Sequence, residues 1–247
     1  SFAARDFRLW PEDFQRKKLA GGFQFRGGHS YGSVIPPTVA QKHPEYFSLI
    51  GDERQIEGTQ LCVTNPDVED YAVQYVLGEI AKDPGQRVIS LGGNDNNRFC
   101  ECRTCTATNL GRTLPQGKTP SPPHWVTRSV FDFSNRVAAR VAAEHPDKLI
   151  ATFAYARTKQ PPADLPIHDN VMAWYCNQPM SNWQGRSGRQ RLQDDTAAWG
   201  AVARHVGIFD YLINQAWPDF PRPITKLLGW YMKVFHRNGV RYYFTQC

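Results

Sequence analysis

No run of about 18 consecutive apolar residues occurs in this 247-residue chain, which excludes a hydropathy-defined membrane span. The opening SFAARDFRLWPEDF lacks the apolar segment of a signal peptide and does not begin with Met. The sequence is therefore expected to be a piece of something longer, whose own ends report no compartment. Six cysteines are too few for a small domain held by a disulfide framework. A basic stripe is also missing. Net charge is +6, but Lys and Arg are scattered, and the densest groups, RKK at 16–18 and Arg186, Arg189 and Arg191, read as solvated faces. Nucleic acid is not an expected partner. No internal repeat is present. No glycine-rich phosphate fingerprint follows the first apolar run, which argues against an open dinucleotide-binding sheet.

What is present is ordinary in its core and rich in rings. Hydrophobic residues make up 41%, charged residues 21% and aromatics 13%, with seven Trp and ten Tyr. That excess suits either a large aromatic core or a surface that stacks on flat ligand faces. Short β-rich runs recur at 5–10, 23–28, 61–65, 88–93, 149–156, 170–176, 206–214 and 239–246. Several are almost continuously apolar, as strands buried on both faces of a parallel sheet are. Helical segments separate most of them. Residues 65–85 offer Asn65 as N-cap and Pro66 at the first helical position; 127–147 and 219–239 repeat the pattern, and 190–204 carry a weaker one. Eight strands alternating with helices in this length predict a single (β/α)8 barrel over residues 1–247, with its last helix missing.

Active sites of such barrels lie at the C-terminal strand ends. Those ends carry Trp10, His29, Asn94-Asp95, Tyr155, Trp174, Asn177, Asp210-Tyr211, Asn214 and Trp217. Amides, aromatics and a few acids in one place make a lining suited to carbohydrate, with apolar platforms for ring faces and planar groups for hydroxyls. Asn-Asp-Asn-Asn at 94–97 is also what a simple turn would contain. The Pro-rich stretch 113–125 reads as an insert on the same side. Cys100, Cys102 and Cys105 invite three readings: a loop staple or disulfide, a metal site, or unpaired thiols. As a metal site the group lacks a fourth ligand, which would be His124 or a distant residue. Cys62 and Cys176 fall in apolar runs and read as core thiols.

The stretches GGHSYGSVIPP (27–37), HPEYFSLIGDER (43–54), LCVTNPDV (61–68), NDNNRFCECRTC (94–105), YARTKQPP (155–162), HDNVMAWYC (168–176), FDYLIN (209–214) and FHRNGVRYYFTQ (235–246) resemble a bacterial family of unknown function. Some of its members are endo-β-N-acetylglucosaminidases, and it is related to α-glucuronidase and β-hexosaminidase barrels. The resemblance runs in order along almost the whole chain. It implies a secreted or periplasmic glycoside hydrolase that needs no cofactor and takes a glycan containing N-acetylhexosamine or uronic acid. GGND at 92–95 looks like the GGDE of β-hexosaminidases, which makes Asp95 the general acid and Asn94 the residue orienting an acetamide. Asp210, with Tyr211, would be the second carboxylate or support the acetamide; His29, Tyr155, Trp174, Asn177, Asn214 and Trp217 would line the pocket. Relatives are expected to carry a Glu after strand six and another at the end of strand eight, where this chain reads CNQPM and FTQC. Three arrangements follow: substrate assistance with Asp95 alone, Asp210 as partner, or a barrel that binds glycans without cleaving them.

Overall fold

The computed structural model describes residues 25–26, 28–112, 125–177, 186–211 and 225–246. Six strands form one parallel sheet in the order β1 (Phe25–Arg26), β4 (Val88–Ser90), β5 (Leu149–Ala154), β6 (Val171–Asn177), β7 (His205–Tyr211) and β8 (Val240–Gln246). A separate antiparallel hairpin joins β2 (Leu49–Ile50) to β3 (Glu53–Arg54) across Gly51, whose φ is +59°. The fold is thus mixed α/β with an open, half-barrel parallel sheet. Among the described residues the sheet does not close into a barrel, and the run predicted at 5–10 lies outside them. The run at 61–65 is not a strand of this sheet. Leu61 makes only an isolated antiparallel bridge to Phe47, and β1 pairs directly with β4.

The helices arise where caps and periodicity place them. In α1 (Pro66–Lys82) the Asn65 side chain accepts from the Asp67 N–H at 2.9 Å, and Pro66 occupies the position where an N–H would be unsatisfied. Val68, Ala72, Val73, Val76 and Ile80 form its buried face. Helix α2 (Arg103–Leu110) has Cys102 as its N-cap. Helix α3 (Thr127–Ala142) buries Val130, Phe131, Phe133, Val137 and Val141. Helices α4 (Arg186–Val202) and α5 (Thr225–Arg237) complete the layer. Charge also ties α1 to α3: Arg136 reaches Glu69 at 2.7 Å and donates to the Val63 carbonyl at 2.9 Å, while Arg140 reaches Asp70 at 2.7 Å. No helix among the described residues is long and apolar enough to cross a membrane.

Side-chain alternation along the strands divides the core in two. One cluster faces the helices and contains Ile150, Ala154, Val171, Ala173, Tyr175, Val206 and Ile208. The other lies on the opposite, inner face: Val88, Leu149, Ala151, Phe153, Met172, Trp174, Cys176 and Phe209, with Tyr155, Tyr211, Tyr242 and Phe244 packed on it. Helix α4 meets the turn before β8 so closely that a Cβ at Gly200 would lie 2.0 Å from the Asn238 carbonyl oxygen. Because backbone cannot swing aside as a side-chain tip can, Gly200→Ala is expected to cost about 3 kcal/mol in a denaturant titration. An unchanged midpoint would show that this junction yields freely.

Candidate active site at the inner mouth of the sheet

The mouth is built where β1 and β4 end. Gly92 accepts from the Ser30 N–H at 2.9 Å and donates to the Ser30 hydroxyl at 2.9 Å, zipping the two strand ends together. A Cβ at Gly92 would sit 2.6 Å from the Phe153 ring and 2.7 Å from the Gly28 carbonyl; one at Gly93 would sit 2.9 Å from Gln60 Oε1. Close approach therefore requires Gly92, where a ring and backbone stand in the way, while at Gly93 the tip of Gln60 is what a side chain would displace. His29, exposed, hydrogen-bonds the Gly93 carbonyl through Nδ1, and its ring centre lies 4.9 Å from that of Phe153. It stands at the rim over the inner aromatic floor.

The turn after Gly93 is held mainly by one buried amide. Gln60 accepts from the Asn94 N–H at 2.8 Å and donates to the Asn94 carbonyl at 2.7 Å and the Asn96 carbonyl at 3.0 Å. Asn94 itself accepts from the Gly32 N–H at 3.2 Å and donates to the Thr59 carbonyl at 2.5 Å. Its side chain is thus committed to loops 30–34 and 55–60. The neighbouring Asp95 is exposed. Its negative charge acts on two groups of the inner face, Cys176 on β6 and Tyr211 on β7. In both, burial is the larger cause of an upward shift and Asp95 adds to it. The 94–97 turn follows β4 at the end of the sheet where Gly92 and His29 meet the Phe153 ring.

Asp210 lies elsewhere. It shares the face of Val206 and Ile208, toward the helices, and is fully buried. Its carboxyl accepts from Tyr243 Oη at 2.7 Å, from Asn177 Nδ2 at 3.1 Å and from the Tyr211 N–H at 2.9 Å. Burial raises its pKa to about 6 even though all three bonds favour the charged form. Asn177, equally buried, belongs to this network. A carboxyl whose folded pKa is raised binds its proton more tightly in the native state. Its contribution is therefore full below about pH 4 and is lost as pH rises through about 6. Wild type is expected to lose about 2–3 kcal/mol relative to Asp210→Asn between those limits, read as diverging urea midpoints. Parallel pH profiles would contradict the assignment.

Trp174 is also placed differently from a stacking platform. It is 2% exposed and lies flat against Phe153, with ring centres 5.0 Å apart and planes 8° from parallel. His29 thus stands on Phe153, Tyr155 and Tyr211 pack on the inner cluster, Asp95 is exposed on the turn after β4, and Trp174 is buried within that cluster. Asn177 and Asp210 form a second network on the helix side. Trp10, Asn214 and Trp217 lie outside the described residues.

Beside the mouth is a second constellation that the sequence reading missed in part. The Sγ atoms of Cys62, Cys100, Cys102 and Cys105 all lie within 4.8 Å of one another, and all four residues are buried. Cys62 is thus not a core thiol of a strand but the fourth member of the group. The thiols are free, with no disulfide between them. Hydrogen bonds from Cys100, Cys105 and Cys62 pull the Cys102 thiol strongly down, while those from Cys100, Cys102 and Cys62 push Cys105 up.

An open parallel half-barrel with an aromatic inner face is the class of structure this chain presents. The sequence matches the family described as "Domain of unknown function (DUF4838)" over residues 6–247, and the chain belongs to that family. No curated protein matches it. Among solved structures it is similar to endo-glycoceramidase II from Rhodococcus sp. in a cellobiose-like imidazole complex, at 8% identity and a TM-score of 0.40. The likeness covers 74% of this chain and 41% of that one, and it is too loose to carry a functional argument.

Proposed function

We propose that the chain is a glycoside hydrolase acting on glycans that contain N-acetylhexosamine or uronic acid, and that its sheet is part of a (β/α)8 barrel formed by residues 1–247 as one domain. The observation that carries the reading is the turn that bears Asp95: an exposed carboxyl just past the end of β4, on a turn pinned by Gln60 and Asn94 and following Gly92, which packs on Phe153 of the inner face. An acid in that place reaches a glycosidic oxygen whose sugar ring rests on the inner face. Tyr211, Tyr155 and His29 offer the hydroxyl and ring nitrogen that orient a sugar.

The second carboxylate of a two-acid mechanism is not Asp210, which faces the helices and spends its lone pairs on Tyr243, Asn177 and Tyr211. Substrate assistance fits better: the acetamide carbonyl of the substrate attacks the anomeric carbon while Asp95 protonates the leaving oxygen. In this reading Tyr211 holds the acetamide. Asn94 serves the turn rather than the sugar. The same turning away of Asp210 favours a second reading, a barrel that binds glycans without cleaving them. In either case a secreted or periplasmic location would bring the protein to such glycans. Incubating the full-length protein with aryl N-acetyl-β-glucosaminide and aryl glucuronide separates the two. Released phenol is the expected result. Saccharide binding without release would replace hydrolysis by binding.

A further inference from the structure

The four-cysteine group lies outside the mouth and its chemistry is not used there. We propose that Cys62, Cys100, Cys102 and Cys105 form a structural zinc site that fixes the turn carrying Asp95. The proposal does not depend on the glycan reading.

Geometry comes first. Four sulfurs about 2.3 Å from a central zinc form a tetrahedron with edges of about 3.8 Å. Here Cys62 Sγ lies 3.8 Å from Cys102 Sγ and 3.9 Å from Cys105 Sγ. Two disulfides would instead gather the sulfurs into pairs at about 2.05 Å. The set is also closed: four buried protein ligands leave no position for water, which marks a structural rather than a catalytic site.

The surroundings suit thiolates. Leu49 donates its N–H to Cys100 Sγ at 3.4 Å, and Cys105 donates its own to Cys102 Sγ at 3.5 Å. Thr64 Oγ1 lies 3.0 Å from Cys105 Sγ. Arg54 places a guanidinium nitrogen 3.7 Å from Cys100 Sγ while donating to the Phe47 carbonyl at 2.6 Å. That cation offsets part of the double negative charge of a zinc tetrathiolate. Cys102 also stands at the N-terminus of α2, where the helix favours an anion.

Three segments distant in sequence meet at this point: the β2–β3 hairpin, the lead into α1, and the lead into α2. The Glu101 N–H donates to the Leu49 carbonyl at 2.8 Å, and the Cys62 N–H to the Tyr46 carbonyl at 2.8 Å. Gln60, which holds the Asn94–Asn96 turn, is two residues from Cys62, and that turn leads directly into Cys100. A metal at the centre would therefore lock both sides of the clamp that positions Asp95.

The test is the metal content of the full-length protein purified without added metal, measured by elemental mass spectrometry. About one equivalent of zinc per chain is expected, lost in Cys62→Ser and in Cys105→Ser and kept in Cys176→Ser, whose thiol lies in β6. Exchange with cobalt(II) is expected to give the intense visible bands of a tetrahedral tetrathiolate. Should the serine variants fail to fold, wild-type zinc content and the cobalt spectrum still decide. Zinc-free wild-type protein, disulfides among these four cysteines, or iron in place of zinc would each overturn the assignment.

Discussion

Asp95→Asn is expected to lower the rate of glycoside cleavage by about a hundredfold or more while leaving stability and saccharide affinity close to wild type. The size follows from the role, since a positioned general acid contributes roughly 10²–10⁴-fold. The neutrality in stability follows from the position. Asp95 is exposed, and the clamp that holds its turn is made by Gln60 and Asn94, not by its own carboxyl. Kinetics with an aryl N-acetyl-β-glucosaminide whose phenol is a poor leaving group, beside a urea titration of both proteins, checks this. A rate reduced only tenfold, or a variant that unfolds, would mean that the carboxylate serves the turn and not the bond.

Trp174→Ala is expected to destabilise the fold by about 3–5 kcal/mol, among the largest effects of a single substitution in this chain. The indole is buried, stacked on Phe153 and edge-on to Phe209 and Phe244, with ring centres 5.1 and 6.0 Å away. Its neighbour in register on β7 is Gly207, where a Cβ would lie 3.3 Å from the indole Cδ1. Gly207 leaves room for this ring, as it does for Met172 and Tyr242, and an alanine at 174 leaves the space unfilled. Trp174→Phe is expected to recover most of the loss and to bind saccharide as wild type does, since the ring is buried. Full stability in Trp174→Ala with saccharide binding abolished would instead make Trp174 a ligand platform.

Much of this was legible from residues alone, for identifiable reasons. Asn65-Pro66 announces α1 because cap and first-turn chemistry are local, and the structure uses Asn65 as expected. The runs at 149–156, 170–176 and 206–214 announce β5, β6 and β7 because two-sided burial demands continuous apolar sequence. LCVTN misleads for the same reason. It is apolar and short, but Leu61 and Val63 are buried in the main core and Cys62 in the sulfur cluster, without pairing into the sheet. The hairpin strands have two residues each, and α2, RTCTATNL, is too polar to show a period. Both were beyond reach of pattern.

The site was readable in part. Gly92-Gly93 and the turn after them mark the end of β4, where His29 bridges to Gly92. Asp210 was read by its place at a strand end, without its parity. Phe209 and Tyr211 flank it, and a period of two already assigns Asp210 to the other face. The fourth cysteine had a signal too, since three clustered thiols one short of a tetrahedral set call for another Cys or His from afar. Only the fold could say that it is Cys62.

The most direct measurement is the ratio of wild-type to Asp95→Asn cleavage rates across aryl N-acetyl-β-glucosaminides whose phenols differ in leaving ability. A proton delivered by Asp95 matters most when the departing oxygen is basic. The ratio is therefore expected to be large for poor leaving groups and to shrink toward unity for a good one such as dinitrophenolate. A ratio that stays constant across the series would contradict a proton donor at the end of β4.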